Sequence, residues 1–96
     1  MNLGRVVGTV VSTIKDEKLT GTKLQVVRQI DLTCKDTGAF VVAVDAVGAG
    51  PGEIVLYASG SSARQTTITQ DRPADAVIMA IVDSIEVEGR EVYTKP

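Results

Sequence analysis

Runs of β-branched and alternating apolar residues occupy five stretches of the chain, and polar or glycine-containing segments separate them. The five stretches are Leu3–Ile14, Leu24–Leu32, Ala39–Val47, Ile54–Tyr57 and Val77–Val87. β-Branched residues with a period of two are typical of strands. The pattern therefore predicts five strands and an all-β fold.

The first stretch carries apolar side chains on both of its faces. Its valines fall in adjacent pairs, and successive side chains of a strand point to opposite sides. The pairs are Val6-Val7 and Val10-Val11. We therefore expect both faces of this strand to be covered. Gly4 and Gly8 predict a bend or a bulge, which a small barrel requires where a strand turns a corner.

The second stretch alternates well, and one arginine interrupts its more apolar face. That face is formed by Leu24, Val26, Arg28, Ile30 and Leu32. The opposite face is formed by Gln25, Val27, Gln29 and Asp31. The segment Asp36-Thr37-Gly38 predicts a hairpin connection to the third stretch, because these residue types favour turns.

The C-terminal half contains three further local signals. Ser62 and Gln65 have the spacing of a capping box, which predicts a short helix between the fourth and fifth strands. Gly89-Arg90 predicts a type II′ turn, after which Glu91–Tyr93 pairs back on the fifth stretch. The last residues, Thr94–Pro96, are expected to form a loose tail.

These elements predict a small closed five-stranded barrel of the OB type, with one short helix and a C-terminal hairpin, over residues 1–96 as a single domain. Of the 96 residues 44% are hydrophobic but only three are aromatic, so the core of a monomer is thin. One cysteine cannot form a disulfide within the chain, and the absence of histidine argues against a zinc site. We therefore expect no cofactor and expect self-association to supply additional burial.

Charge and hydropathy argue against nucleic acid and membranes as partners. The formal net charge is −2, and the three aromatic residues are too few for a surface on which bases stack. No apolar run approaches the roughly 20 residues that span a bilayer. We find no secretory signal, and we expect a location in the cytoplasm.

The glycine-rich loop Gly48–Gly52 resembles a phosphate cradle only superficially. Glu53 stands where a G-x-G-x-x-G motif needs glycine, and no Gly-Lys-Ser/Thr follows. Three glycines at alternate positions favour a tight turn, or a close backbone approach at a contact between subunits.

Acidic residues do not form a recognisable catalytic group. The neighbours Asp16 and Glu17 lie among lysines, which is typical of a solvated loop, and Glu86 and Glu88 share one strand face. Without histidine or a candidate nucleophile, the sequence predicts no enzymatic activity.

Three aspartates are predicted to lie inside apolar strands, where an unpaired buried charge is costly. They are Asp31, Asp45 and Asp83. They either face solvent on the outside of the barrel or form ion pairs within or between subunits. The arginines available as partners are Arg5, Arg28 and Arg64.

Four motifs, taken in chain order, resemble the EutN/CcmL family. They are Leu3–Thr13, Val42–Gly50 followed by Gly52-Glu53, Gly60–Arg64 and Ala76–Asp83. The resemblance covers nearly the whole chain. Members of this family are pentameric vertex proteins of bacterial microcompartment shells.

The resemblance implies an OB-like barrel, assembly around a fivefold axis and no enzymatic activity. It also implies a place at the vertices of a shell in the bacterial cytoplasm, among hexameric shell proteins. A pentamer in a hexagonal lattice removes a wedge and forces the curvature that lets the shell close. We expect charges inside strands and glycine-rich loops to form the subunit interface or an axial opening. The candidates are Arg5, Asp45, Gly48, Ala49, Gly50, Gly52, Glu53, Ser61, Ser62 and Arg64.

The alternative function is a stand-alone OB-fold module that binds nucleic acid or another ligand. Such a module is expected to have an aromatic barrel face and a binding affinity that weakens with salt. A small enzyme is a third class, and it requires a titratable group in a pocket.

Overall fold

The computed structural model describes residues 1–12, 23–60 and 76–96. Its strands in these ranges are β1 (Asn2–Val10), β2 (Lys23–Ile30), β3 (Asp36–Asp45), β4 (Ile54–Ser59), β5 (Ala76–Ile81), β6 (Ser84–Val87) and β7 (Arg90–Thr94). The first five form a closed barrel in the order β1-β2-β3-β5-β4, and β6 and β7 form a separate two-stranded sheet. The β3–β5 pair is parallel and the other pairs are antiparallel.

The predicted all-β class, the five-stranded OB-like barrel and the C-terminal hairpin are confirmed by this topology. The helix predicted from Ser62 and Gln65 lies outside the described residues. The predicted barrel strands and the hairpin therefore occur in the expected order.

Side chains from all five barrel strands meet in its interior. One of them is aromatic, Tyr57, and the others include the aliphatic residues Val6, Val27, Ala43, Val55 and Ile78. Gly4 also faces this interior, where a Cβ atom would overlap the Val27 side chain and lie 2.9 Å from Cε1 of Tyr57. Because Gly4 has no side chain, the ring of Tyr57 can occupy this space.

The more polar face of β2 is the one that enters the barrel. Gln25 and Val27 are almost completely buried, at 1% and 0% exposure. Leu24 points to the opposite face, where it packs against a second buried cluster. That cluster is Val44, Ala58 and Val77. The register shifts after Arg28, and Ile30 beyond the shift is buried.

The turn between β2 and β3 comes earlier than the sequence predicts. It spans residues 31–35, and the predicted turn residues Asp36–Gly38 are the first three of β3. Oδ1 of Asp31 accepts hydrogen bonds from the backbone N–H groups of Thr33 (2.8 Å) and Lys35 (3.1 Å). The predicted turn at Asp36–Gly38 is wrong, because the Asp31 carboxylate organises a turn earlier in the chain, at residues 31–35. The placement of Asp31 inside a strand is wrong for the same reason.

The predicted strand Val77–Val87 is in fact two strands. The barrel strand ends at Ile81, and the N–H of Val82 then donates to the carbonyl oxygen of Ile54 at 2.8 Å. The chain leaves the barrel at this point and begins the hairpin. Asp83 lies in the connection, so its placement inside a strand is also wrong.

The hairpin turn is shifted by one residue from its predicted position. Glu88 and Gly89 have φ angles of 53° and 78°, and two consecutive positive values are those of a type I′ turn. Val87 accordingly pairs with Arg90. The predicted type II′ turn at Gly89-Arg90 is wrong, because the sequence offers no signal that Glu88 adopts the left-handed conformation.

Candidate functional site

The end of β3 and the loop that joins it to β4 gather six of the ten predicted site residues. They are Asp45, Gly48, Ala49, Gly50, Gly52 and Glu53. Gly48 and Gly52 have φ angles of 75° and 83°, which side chains rarely tolerate. A Cβ atom at either position would meet no atom of the described residues within 4 Å. These two glycines are therefore needed for backbone conformation, and the described residues leave the space beside them open.

A buried glutamine of β2 anchors this loop from inside the barrel. Nε2 of Gln25 donates to the carbonyl oxygen of Ala49 at 2.8 Å and to Oδ2 of Asp45 at 3.2 Å. Its Oε1 accepts a hydrogen bond from the Thr9 hydroxyl at 3.0 Å. Three hydrogen bonds compensate for the cost of burying the amide. The loop is thus tied to two strands of its own barrel.

Asp45 closes the first part of the loop. Its Oδ1 accepts hydrogen bonds from the backbone N–H groups of Val47 (3.0 Å) and Gly48 (2.9 Å). Partial burial opposes ionisation of this carboxyl, but these hydrogen bonds and the one from Gln25 outweigh it and lower its pKa. Asp45 thus fixes the backbone at the start of the loop.

Glu53 closes the second part of the loop and links it to the C-terminal residues. Its Oε1 accepts a hydrogen bond from the N–H of Gly50 at 2.6 Å, and its Oε2 lies 2.6 Å from Nζ of Lys95. Two hydrogen bonds lower the pKa of Glu53: the one from Lys95 has the larger effect, and the one from Gly50 adds to it. The pKa of Lys95 is raised by the same pair. The tail that the sequence predicts to be loose is therefore held against the loop.

Backbone contacts hold the same end of the loop against β1. The N–H of Gly52 donates to the carbonyl oxygen of Val6 at 2.8 Å, and the N–H of Val6 donates to that of Glu53 at 3.0 Å. An open cleft of about 300 Å³ lies between this end of the loop and the chain terminus. It is lined by Pro51, Gly52, Glu53, Tyr93, Lys95 and Pro96.

Arg5 belongs to a charged group on the outside of the barrel, and its partner in the β1–β4 register is Ile54, the residue that follows the loop. Arg5 is half-buried and sits opposite Arg28 in the β1–β2 register. Arg28 Nη1 is 2.9 Å from Asp36 Oδ2, and both side chains are about half exposed. The hydrogen bond from the N–H of Gly38 lowers the pKa of Asp36, and the two arginines add to this effect. The other predicted site residues, Ser61, Ser62 and Arg64, lie outside the described residues.

An apolar surface beside these arginines was missed by sequence reasoning. Val7, Phe40 and Val42 are 45%, 63% and 43% exposed, and we call them the outer apolar face. Phe40 pairs with Arg28, and Val42 pairs with Val26, across the β2–β3 register. The adjacent valines of β1 were the available signal for this surface, because they place apolar side chains on both faces of the strand and so predict that both faces are covered. Within the described chain, Val7 on the second face remains exposed.

Gln25 and Lys95 were also missed as anchors of the loop. A polar residue that shares a strand face with Val27 was a signal for Gln25, but its partners are 16 to 24 residues away in sequence. Lys95 gave no local signal, because its partner Glu53 belongs to a distant loop.

Among residues 1–12, 23–60 and 76–96, no group of three or more His, Cys, Asp or Glu is placed to hold a metal ion. The same residues contain no helix with the length and apolar character needed to cross a membrane.

A barrel that uses its buried polar groups to fix one loop, and leaves an apolar face open, has the features of an assembly protein. Comparison with known proteins agrees. Residues 1–83 match the model of the family described as ethanolamine utilisation protein EutN/carboxysome. The chain belongs to this EutN/CcmL family, as the sequence motifs predict.

Curated relatives are named as shell vertex proteins. The chain is 51% identical over 86 residues to the microcompartment shell vertex protein GrpN of Rhodospirillum rubrum, covering 90% of this chain and 97% of GrpN. It is 42% identical over 95 residues to the carboxysome shell vertex protein CcmL of Gloeobacter violaceus, covering 99% and 95% of the two chains.

Solved structures of the same two relatives share the fold. The structure of Gloeobacter violaceus CcmL matches with a TM-score of 0.92 over 99% of this chain and 98% of that one, at 42% identity. The GrpN structure from Rhodospirillum rubrum, described as a pentameric microcompartment shell protein, matches with a TM-score of 0.82 at 49% identity. It covers 91% of this chain and 99% of that one.

These findings define the class of the protein. It is a structural shell vertex protein of a bacterial microcompartment, located in the shell within the cytoplasm, and the family is not enzymatic. The predictions of family, fold, structural role and lack of enzymatic activity are confirmed by this membership.

Proposed function

We propose that five copies of this chain close a ring that caps a fivefold vertex of the shell and supplies the curvature needed for closure. The observation that supports the ring within this chain is the outer apolar face. Three apolar side chains, each more than 40% exposed, lie together on a barrel of 96 residues. Burial of this face against a neighbouring copy adds the apolar area that a thin core lacks.

The loop from Asp45 to Glu53 is proposed as a preformed contact element of the ring. Its hydrogen bonds to Gln25, Val6 and Lys95 fix its shape before any neighbour arrives. The open space beside Gly48 and Gly52 then allows close approach, either of the next subunit or around the axis.

Arg5 takes a different role in this proposal from that of the loop residues. It lies beside the outer apolar face, together with Arg28 and Asp36. A charged group at the edge of an apolar contact sets the orientation of the partner more than the strength of binding. Ser61, Ser62 and Arg64 remain proposed contact residues from the sequence motif alone.

Hexameric shell proteins are the proposed partners of the completed ring. A ring of five in a lattice of six-membered tiles has edges that must meet hexamers, because the shell is otherwise open at the vertex. Mixing the purified ring with hexameric shell proteins is expected to give closed particles by electron microscopy. Open sheets or tubes in the mixture, like those expected without the ring, would contradict this role.

Native mass tests the ring itself. Five copies of the 10.1 kDa chain give a complex of about 50 kDa by native mass spectrometry or light scattering. A stable monomer that binds single-stranded nucleic acid in a salt-dependent manner would contradict the ring and favour the stand-alone OB-fold module.

A further inference from the structure

The hairpin of β6 and β7 stands apart from the barrel. In the ranges that the structure describes, its two strands pair only with each other. Its links to the barrel lie at its base, where the N–H of Val82 donates to Ile54 and Lys95 lies beside Glu53. A two-stranded hairpin is at best marginally stable alone in water. This hairpin therefore gains stability from a surface on which it can pack.

The hairpin also carries apolar side chains that its own chain covers only in part. Ile85 and Tyr93 are cross-strand partners and are half-buried, as is Val87. Val92 lies at the bulge of β7, where the register shifts, and is 38% exposed. These four side chains give the hairpin an apolar strip that a partner surface can cover further.

The charges of the hairpin complement those beside the outer apolar face. Residues 84–94 contain three carboxylates and one arginine, which gives a net charge of −2. Beside the outer apolar face, the guanidinium groups of Arg5 and Arg28 act on one carboxylate, that of Asp36. Opposite charges at the rim of an apolar contact favour the matching orientation.

We propose that the hairpin of one subunit packs on the outer apolar face of the next subunit in the ring. Its apolar strip covers Phe40 and Val42, and its carboxylates lie near Arg5 and Arg28. This inference rests on the ring proposed above. The two surfaces belong to different parts of the chain, so the contact is heterologous, and a repeated heterologous contact closes a ring when its rotation divides a full turn.

Photocrosslinking of the full-length protein tests the contact directly. Val92 is replaced by p-benzoylphenylalanine, the native mass is measured, and the irradiated sample is analysed by denaturing gel and peptide mass spectrometry. We expect a ladder of covalent oligomers, with crosslinks to residues 5–7 and 36–42 of another subunit. Crosslinks to any other segment, or none, in a complex of intact mass would overturn the hairpin contact. A monomeric wild-type protein would instead overturn the ring itself.

A matched pair of substitutions tests the acceptor surface. Phe40→Glu places a charge in the outer apolar face, whereas Leu32→Glu changes a residue of similar exposure, 56% against 63%, in the β2–β3 turn. We expect Phe40→Glu to raise the concentration at which half of the rings dissociate by about tenfold or more. Leu32→Glu should leave that concentration unchanged. Far-UV circular dichroism verifies that both variants are folded, and equal dissociation of the two would overturn the assignment of the acceptor face.

Discussion

Substitution of Gly4 by alanine is expected to destabilise the barrel through a clash in its interior. An added Cβ atom would overlap the side chain of Val27. It would also lie 2.9 Å from the carbonyl oxygen of Arg28 and 2.9 Å from Cε1 of Tyr57. Side-chain atoms can move by rotation, but the Arg28 residue is held in the β1–β2 ladder. The Tyr57 ring is 2% exposed and has little space to withdraw.

The size of the effect follows from the cost of overpacking a closed core. Addition of a methyl group to a well-packed interior costs about 1–3 kcal/mol in the free energy of unfolding. Gly8→Ala is the matched control on the same strand, because its Cβ would lie 3.9 Å from the nearest atoms, those of Val26. That distance is ordinary van der Waals contact, so Gly8→Ala is expected to change the free energy by less than about 1 kcal/mol.

Urea unfolding followed by far-UV circular dichroism measures both variants. All samples need the same protein concentration, since association of subunits contributes to apparent stability. We expect a lower midpoint for Gly4→Ala and a midpoint near wild type for Gly8→Ala. Equal midpoints for the two variants would refute the reasoning, because the two changes differ only in the space around the new methyl group.

Two further predictions concern the anchors of the β3–β4 loop. Gln25→Met keeps the side-chain volume but removes the donor to the buried carbonyl of Ala49. It should therefore lower the free energy of unfolding by about 1–3 kcal/mol, and an unchanged urea midpoint would contradict this. Lys95 lowers the pKa of Glu53 below its usual 4.5, and the pKa of Lys95 is itself raised above 10.5. Lys95→Met removes this ion pair. A carboxyl group whose pKa is lowered by folding stabilises the fold at pH values above its unfolded-state pKa, and this stability is lost as the pH falls through its folded-state pKa. An ammonium group whose pKa is raised by folding contributes stability that is lost only at high pH. The wild type should therefore have the higher thermal midpoint at pH 7, and the two midpoints should converge in acid; a difference that persists at about pH 2 would show that the ion pair is not its source.

The elements that depend on local pattern could be predicted from the sequence. A period of two identified the barrel strands, and the shared order of motifs identified the family. Which face of β2 turns inward could not be predicted, because Gln25 is buried against groups that the chain supplies from Thr9, Asp45 and Ala49. A glutamine looks like a surface residue until those partners are known.

The sequence predicts which residues form the candidate site, but not which groups each charge contacts within the subunit. Six of the ten residues lie at the end of β3 and in the loop that follows it, as their closeness in sequence suggests. Asp45 and Glu53 remain predicted to act between subunits or at an axial opening, and within the subunit they contact backbone N–H groups, Gln25 and Lys95. The residue types gave no means of separating a contact made within the subunit from one made across subunits.

Internal anchoring of this loop is consistent with a role in ring assembly. Association costs free energy for every loop and side chain that becomes ordered at the contact, and a loop that is already fixed avoids most of that cost. Gln25 and Glu53 hold the loop from its two ends inside the free subunit. The free energy gained by covering Phe40 and its neighbours is then available for closing the ring. If Gln25→Met weakens the ring more than it weakens the subunit fold, this preorganisation is the reason.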